Sequence, residues 1–385
     1  MFYAFLFLLT TGLVLVVYRW AVASFPWARA RRRRVLGGVG AYVALGVLSH
    51  YAVVRWHEGA TLHTACVVLT MTLAIAALPI GAMRAGGWVL DRLARESVPD
   101  PGVGTSDAMT RRQVVEAAAG VGFLGAAGSM LGWGMVRGRH AFEMHELVVH
   151  VAGLPRALDG YVIAQISDVH TGLYVRERLL DEGFALVRRA RPDLLVATGD
   201  LVDFDPAYAP LIARRLADAA PRDGVAAILG NHDYYAGAGA VLGALHAAGV
   251  TTLVNEARVV RAGDGGGFAL LGVDDLRARK YGGAGPRLER ALAQVPADRP
   301  RILLSHQPPT VDRWAGQVAL QLSGHTHGGQ INPGFCPADL LLEYVAGEYR
   351  VGGTVLYVNR GFGTVGPPSR VDCPPEVTRV VLVAG

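Results

Sequence analysis

Five places in this chain set Asp, His or Asn where a short apolar run gives way to a loop. They are Asp168-Val169-His170, Gly199-Asp200, Gly230-Asn231-His232-Asp233, His306 and Gly324-His325-Thr326-His327. Imidazole nitrogen and carboxylate oxygen suit Mn²⁺, Fe and Zn²⁺, and the set holds no thiolate that would favour a soft, closed site. Alternate residues such as Asp168/His170 and His325/His327 can both face one ion where the chain turns at a strand end. A glycine directly before Asp200, Asn231 and His325 permits a close backbone approach or a positive φ. A carboxylate shared by two ions about 3.5–4 Å apart is a recurrent solution for splitting phosphate esters. Such a pair acidifies a bridging water and neutralises the phosphoryl oxygens. Each piece alone reads as a turn or a structural histidine; the ordered set does not.

Positioning such a set requires strands that end on one side of a layer. Apolar strand candidates lie at 147–151, 162–166, 194–198, 225–229, 268–273, 302–305, 318–322 and 355–358. Helical patterns lie near 176–191, 208–219, 239–248 and 286–294. This alternation predicts an α/β layered domain over 147–385, with ligands gathered at loops beyond strand ends. Residues 263–267 read as a hairpin loop rather than a phosphate cradle.

With all five motifs intact, residues 145–385 resemble the calcineurin-like metallophosphoesterase superfamily. The extension Gly328-Gly329-Gln330-Ile331, with Asn359-Arg360-Gly361 and the stretch from Arg370 to Glu376, resembles one bacterial branch. That branch contains membrane-anchored or exported phosphoesterases, some similar to UDP-2,3-diacylglucosamine pyrophosphatases. The resemblance implies a four-layer αββα sandwich and two divalent metal ions (Mn, Fe or Zn). It implies Asp168, His170 and His327 on the first ion, Asp200 bridging, and Asn231, His306 and His325 on the second. It casts His232 as the catalytic acid that protonates the leaving oxygen, with Asp233 holding its imidazole. The implied chemistry is in-line attack of a metal-bridging hydroxide on a phosphodiester or pyrophosphate, with lipid- or nucleotide-sugar-linked substrates as candidates. A phosphomonoesterase or protein phosphatase of the same fold is the alternative. A non-catalytic membrane sensor is more distant, because no ligand position is missing.

The N-terminal third is of another kind. Hydrophobic residues make up 51% of the 385 residues and charged residues 18%, against roughly 25% charged in soluble domains. Four apolar runs, at 2–18, 35–54, 62–83 and 114–136, approach the ~17–25 residues needed to cross a bilayer. They predict an all-α transmembrane region of about four helices over 1–136, a neck over 137–146 and a catalytic domain over 147–385. The formal net charge of +5 sits entirely in the anchor, which has twelve Arg against six acidic residues; 137–385 nets −1. A basic field for nucleic acid is therefore not expected on the catalytic domain. The Arg-rich loops around Arg31–Arg34 and Arg84–Arg112 predict cytoplasmic sides by the positive-inside rule. The expectation is a multi-pass bacterial cell-membrane protein whose catalytic domain is extracytoplasmic and whose partners are the lipid bilayer and a phosphate-ester substrate.

Several residues outside the motifs are candidates for substrate choice. Asp274, Asp275, Arg277, Arg279 and Lys280 could line the site, and Arg360 and Arg370 could clamp a phosphate. Residues 335–346, with Leu340, Leu341, Leu342, Tyr344 and Val345, read mainly as core packing and secondarily as an apolar lip for an acyl chain. Pairing of Cys336 with Cys373 is left open by sequence.

Overall fold

The computed structural model describes residues 2–56, 60–95, 109–262 and 266–385. Residues 97–110, whose Pro, Gly and Ser content reads as a linker, and the hairpin loop expected at 263–267 lie largely outside these residues. The chain divides into two compact units, Met1–Trp133 and Gly134–Gly385.

Among its described residues the first unit is built of helices: α1 (Phe2–Ser24), α2 (Pro26–Ala30), α3 (Arg32–Trp56), α4 (Ala60–Arg95) and α5 (Arg111–Val136), whose last turn runs on into the second unit. Three of these helices are long and apolar enough to cross a membrane, and Thr10–Ser24 is a shorter apolar stretch. The helices outrun the apolar segments read from sequence. Val17, Trp20, Ala76, Ala77, Ile80 and Ala127 form a buried seam, while Leu48, Leu78, Leu90 and Val115 face outward. Apolar residues on both faces are what a bilayer, rather than water, tolerates.

The second unit stacks two six-stranded mixed sheets. Its strands are β1 (Glu143–Val151), β2 (Tyr161–Ile166), β3 (Leu194–Thr198), β4 (Val225–Ile228), β5 (Thr251–Thr252), β6 (Glu256–Ala262), β7 (Gly266–Gly272), β8 (Arg301–Leu304), β9 (Leu320–Ser323), β10 (Gly347–Val351), β11 (Thr354–Val358) and β12 (Glu376–Ala384). One sheet is ordered β1-β12-β2-β3-β4-β5 and the other β10-β11-β9-β8-β7-β6. Period-two alternation distributes each strand between layers. Leu194 and Val196, Ala226 and Ile228, Phe268 and Leu270, and Ile302 and Leu304 all enter the core between the sheets. Leu195, Ala197 and Ala227 instead pack under α6 (Glu177–Ala190), α7 (Ala209–Asp218), α8 (Asn231–Ala236) and α9 (Ala238–Ala247). Ala269, Leu271 and Leu303 pack under α10 (Leu288–Leu292), before the short α11 (Val311–Trp314). The order helix, sheet, sheet, helix is the expected αββα sandwich. Both faces are covered, which is why these strands read as unbroken apolar runs.

Two expectations are corrected here. The neck is shorter than 137–146, because β1 starts at Glu143 and a turn of 3₁₀ helix occupies Gly138–His140. The stretch 335–346 is not uniformly core: Tyr344 and Val345 are buried, but Leu340, Leu341 and Leu342 are exposed.

Candidate metal centre

The loops after β2, β3, β4, β8 and β9 converge and bring the predicted donors together. Asp168, His170 and His327 place one ligand atom each within 4.8 Å of one another. Asp200, His306 and His325 do the same. His170 and Asp200 also group with His232, which makes one continuous cluster. Asp200 is its centre: one carboxylate oxygen lies 3.2 Å from His306 Nε2 and 3.6 Å from His170 Nε2. Its other oxygen accepts the backbone N–H of His232 at 2.7 Å. Asn231 is buried in the same loop, and its Oδ1 has no hydrogen-bond partner.

Local backbone geometry makes the convergence possible. Asp168, His170, Asp200, His325 and His327 all have φ between 50° and 75°. Such left-handed turns are tolerated best by Gly, Asn, Asp and His. The loops are stitched together by Asp168 N–H to Gly199 O (3.0 Å), His170 N–H to Asp200 O (2.9 Å) and Gly324 N–H to His306 O (3.0 Å). Asp168 accepts the His325 N–H on both oxygens, at 3.0 and 2.9 Å.

The residues fit divalent ions on the structure's own terms. His170 Nε2 and His327 Nε2 approach to 3.0 Å, and His306 Nε2 and His325 Nδ1 to 3.3 Å. Two nitrogens each about 2.1 Å from one ion lie about 3.0 Å apart at a right angle and about 3.4 Å apart at the tetrahedral angle. His306 Nδ1 faces Thr198 O at 2.8 Å, so that nitrogen donates a proton and Nε2 is the atom turned toward Asp200; burial lowers this imidazole, but Asp200 overcomes it and holds it well above its ordinary value. The orphaned Asn231 Oδ1 is a buried acceptor that a cation would satisfy.

Electrostatics separates these groups. Burial pushes the His325 imidazole down to about 3, helped by His306, so the ring is neutral with a lone pair free to donate. Burial likewise drives His327 well below its ordinary value, with His170 and Arg370 adding to it. Burial alone would raise Asp200, but His306, His232 and His170 reverse this and hold the carboxylate well below its usual range. Burial, with Asp200 nearby, raises Asp233 to about 7.

The partner assigned to His232 is corrected. Asp233 spends its oxygens on the N–H groups of Leu201 (2.9 Å), Val202 (3.1 Å) and Gly230 (2.9 Å). It is a brace between the β3 and β4 loops. His232 Nδ1 instead faces Asp203, lying 3.1 Å from its carbonyl oxygen and 3.3 Å from its carboxylate. Burial lowers His232, but Asp203 and Asp200 overcome it and leave the imidazole above its ordinary value. Asp203 also lies 3.5 Å from His170 Nδ1. Nothing in its position three residues after Asp200 set it apart in the sequence. Phe204 and Tyr235 pack on His232 with ring centroids 4.8 and 5.0 Å away, and nothing in their spacing marked them.

The other candidates divide. Arg370 is 1% exposed and donates to the carbonyls of Gly363, Cys373, Arg360 and Gly361. Arg360 pairs with Glu376 at 2.7 Å and Glu143 at 3.1 Å. Both are structural, so neither is the expected phosphate clamp. Asp274 binds the Tyr234 hydroxyl and the N–H groups of Ala284 and Gly285. Arg279 donates to the carbonyl of Ala284. Arg277 stays near the site, donating to the Tyr235 hydroxyl at 3.0 Å. Cys336 and Cys373 are free thiols whose sulfurs both reach the Gly328 carbonyl, at 3.7 and 3.3 Å.

The sequence profile described as calcineurin-like phosphoesterase matches residues 161–329. A Danio rerio protein named "Transmembrane protein with metallophosphoesterase domain" is 35% identical over 259 residues, 65% of this chain and 59% of its own length. The chain thus spans a little over half of that relative. The Bacillus subtilis protein named "Uncharacterized metallophosphoesterase YkuE" is 32% identical over 288 residues, 71% of this chain and 98% of its own. The Escherichia coli "Phosphodiesterase YaeI" is 33% identical over 237 residues, 58% of this chain and 82% of its own.

Proposed function

The chain belongs to the calcineurin-like phosphoesterase family, and from that premise we propose that it is a membrane-anchored phosphodiesterase or pyrophosphatase working with two divalent ions. The observation that carries this reading is the placement of Asp200 between two donor groups, with Asp168, His170 and His327 on one side and His306 and His325 on the other. Asp168, His170 and His327 would hold one ion, and Asn231, His306 and His325 the other, with Asp200 shared. Bound there, the ions would supply an acidified water and charge neutralisation for the phosphoryl oxygens.

The chain's own residues do the rest. His232 holds a proton at Nε2 for the leaving oxygen, because Nδ1 is anchored on Asp203. Asp203 supports that protonated form through its charge. Phe204 and Tyr235 fix the ring plane. Arg277 offers a positive charge at the rim for a substrate phosphate. The apolar helices support a multi-pass anchor, and the arginine distribution supports an extracytoplasmic catalytic domain in a bacterial cell membrane. A lipid- or nucleotide-sugar-linked phosphoester is the substrate class that suits an enzyme tied to the bilayer by so short a neck. The name of the Escherichia coli relative favours a diester over a monoester.

The test uses the detergent-solubilised full chain and a water-soluble aryl phosphodiester, with aryl monoester and pyrophosphate substrates compared. EDTA should abolish turnover and Mn²⁺ should restore it, while Asp200→Ala and His327→Ala remain inactive with metal present. An EDTA-resistant enzyme without bound metal, or mutants with wild-type turnover, would overturn the assignment.

A further inference from the structure

Phe335, Leu340, Leu341 and Leu342 are 60%, 79%, 86% and 46% exposed, four large apolar side chains within eight residues. Beyond Glu343, Tyr344 and Val345 fall to 8% and 3%. The chain therefore reaches the core immediately beyond this stretch but turns the leucines outward. The tip is an ordered turn. Pro337–Leu340 forms one turn of 3₁₀ helix, and the N–H groups of Leu341 and Leu342 both donate to Ala338 O at 2.9 Å. Its stem is tied to the loop that carries His325 and His327. Asn332 Nδ2 donates to Gly328 O at 2.8 Å, and Cys336 Sγ contacts the same oxygen.

The same stem lies beside the place where the chain comes into this unit. Arg370 N–H donates to Gly134 O at 3.2 Å. A Cβ on Gly138 would lie 1.9 Å from Arg370 O, so the two backbones are in direct contact. One residue on, Val371 N–H donates to Gln330 O at 3.0 Å, and Asn332 N–H donates to Val371 O at 2.9 Å. Gly134–Gly138, the strip 370–371 and the stem of this turn are thus three adjacent backbones. Val136, at the end of the last apolar helix, is itself 65% exposed.

We propose that residues 335–342 form a lipid-binding finger that inserts its leucines and Phe335 into the bilayer surface that anchors the chain. It deepens the membrane-substrate reading above and rests on it. The chain's own tether keeps lipid at high effective concentration around the finger, and leucine and phenylalanine partition into the interface between headgroups and acyl chains. Between 333 and 343 the charged residues are Asp339 and Glu343, with no Lys or Arg. Insertion is therefore apolar, needs no anionic lipid and tolerates salt. Its consequence is selectivity: a phosphoester held at the headgroup level is delivered to the loop of His325 and His327.

The experiment places the full chain in nanodiscs of phosphatidylcholine, one chain per disc. Leu341→Trp reports insertion: its added fluorescence should be quenched by brominated acyl chains at both 50 mM and 500 mM salt. In parallel, Leu340→Glu/Leu341→Glu is compared with wild type on a diacyl phosphodiester with a p-nitrophenyl headgroup and on a water-soluble aryl phosphodiester. The expected result is at least about a tenfold loss of kcat/KM on the diacyl substrate, with the soluble substrate unchanged. Absence of quenching, or equal activity of the double variant on both substrates, overturns the finger. Chain-to-chain crosslinking through Leu341→Cys in detergent, without quenching in discs, would assign the patch to a second copy instead. If wild type cleaves neither substrate, the phosphodiesterase reading fails, and the quenching arm still decides the finger.

Discussion

Gly324→Ala tests the close packing on which the centre depends. A methyl at Gly324 would lie 1.9 Å from Ser167 Oγ and 2.2 Å from Asp168 Oδ2. Ser167 can rotate its hydroxyl away. Asp168 cannot yield so cheaply, being fully buried with both oxygens on the His325 N–H. Ordinary carbon contact begins near 3.4 Å, so the carboxylate must retreat by about 1 Å, taking the first donor group with it. Gly324 is not in the left-handed region, so the penalty is steric alone. Overpacking of this kind costs about 1–3 kcal/mol in stability. A displacement of about 1 Å at a reacting centre costs roughly 10²-fold in rate, near 2.7 kcal/mol. The assay is kcat/KM on the soluble aryl diester with bound metal measured by elemental analysis. Gly243→Ala is the control, since that helical glycine has open space around its Cβ position and gains about 0.4–1 kcal/mol. Wild-type kcat/KM and full metal content in Gly324→Ala, at any thermal stability, would refute the reasoning.

Asp203→Asn removes the charge that keeps His232 protonated against burial. The His232 pKa falls, so the alkaline limb of the kcat profile moves to lower pH, by about one unit or more, and an unmoved limb would dismiss Asp203 as the positioning residue. A reporter fused after Gly385 should be active as a periplasmic phosphatase and dark as a cytoplasmic fluorescent protein; the reverse pattern would invert the topology.

The strands carrying the motifs were legible because both of their faces are buried, which leaves unmistakable apolar runs at 194–198 and 302–305. The strands that escaped notice lack that signal. β6, β10 and β12 each mix charged residues into the run (Glu256 and Arg258, Glu348 and Arg350, Glu376 and Arg379), and β5 is two threonines long. Sheet order was beyond reach for a different reason. β12 inserts between β1 and β2 from the far end of the chain, pairing parallel with one and antiparallel with the other, and no local pattern encodes that choice. The candidate donors stood out in sequence by type, and the structure brings six of them together. Asp203 did not, because a carboxylate three residues after Asp200 looks like loop solvation until His232 is seen leaning on it. The leucines at 340–342 misled in the opposite direction. Apolar runs default to the core, and only the geometry shows which of them a fold declines to bury.

The glycines explain why the donor set could be read at all. Five of the seven candidate donors sit at positive φ, a conformation that costs non-glycine residues roughly 1–2 kcal/mol each. A strained Asp or His looks like any other in sequence. What betrays it is the neighbour that must make room. Gly199 turns at φ 95°, and its Cβ position lies 2.6 Å from Gly230 N. Gly230 meets Asp200 Oδ1 at 2.2 Å in the same sense, and Gly324 meets Asp168. Each glycine thus lies against a donor or against another such glycine, and each precedes a donor in sequence. The same close approach gathers two carboxylates and four imidazoles, the kind of preorganisation that a cation site would require.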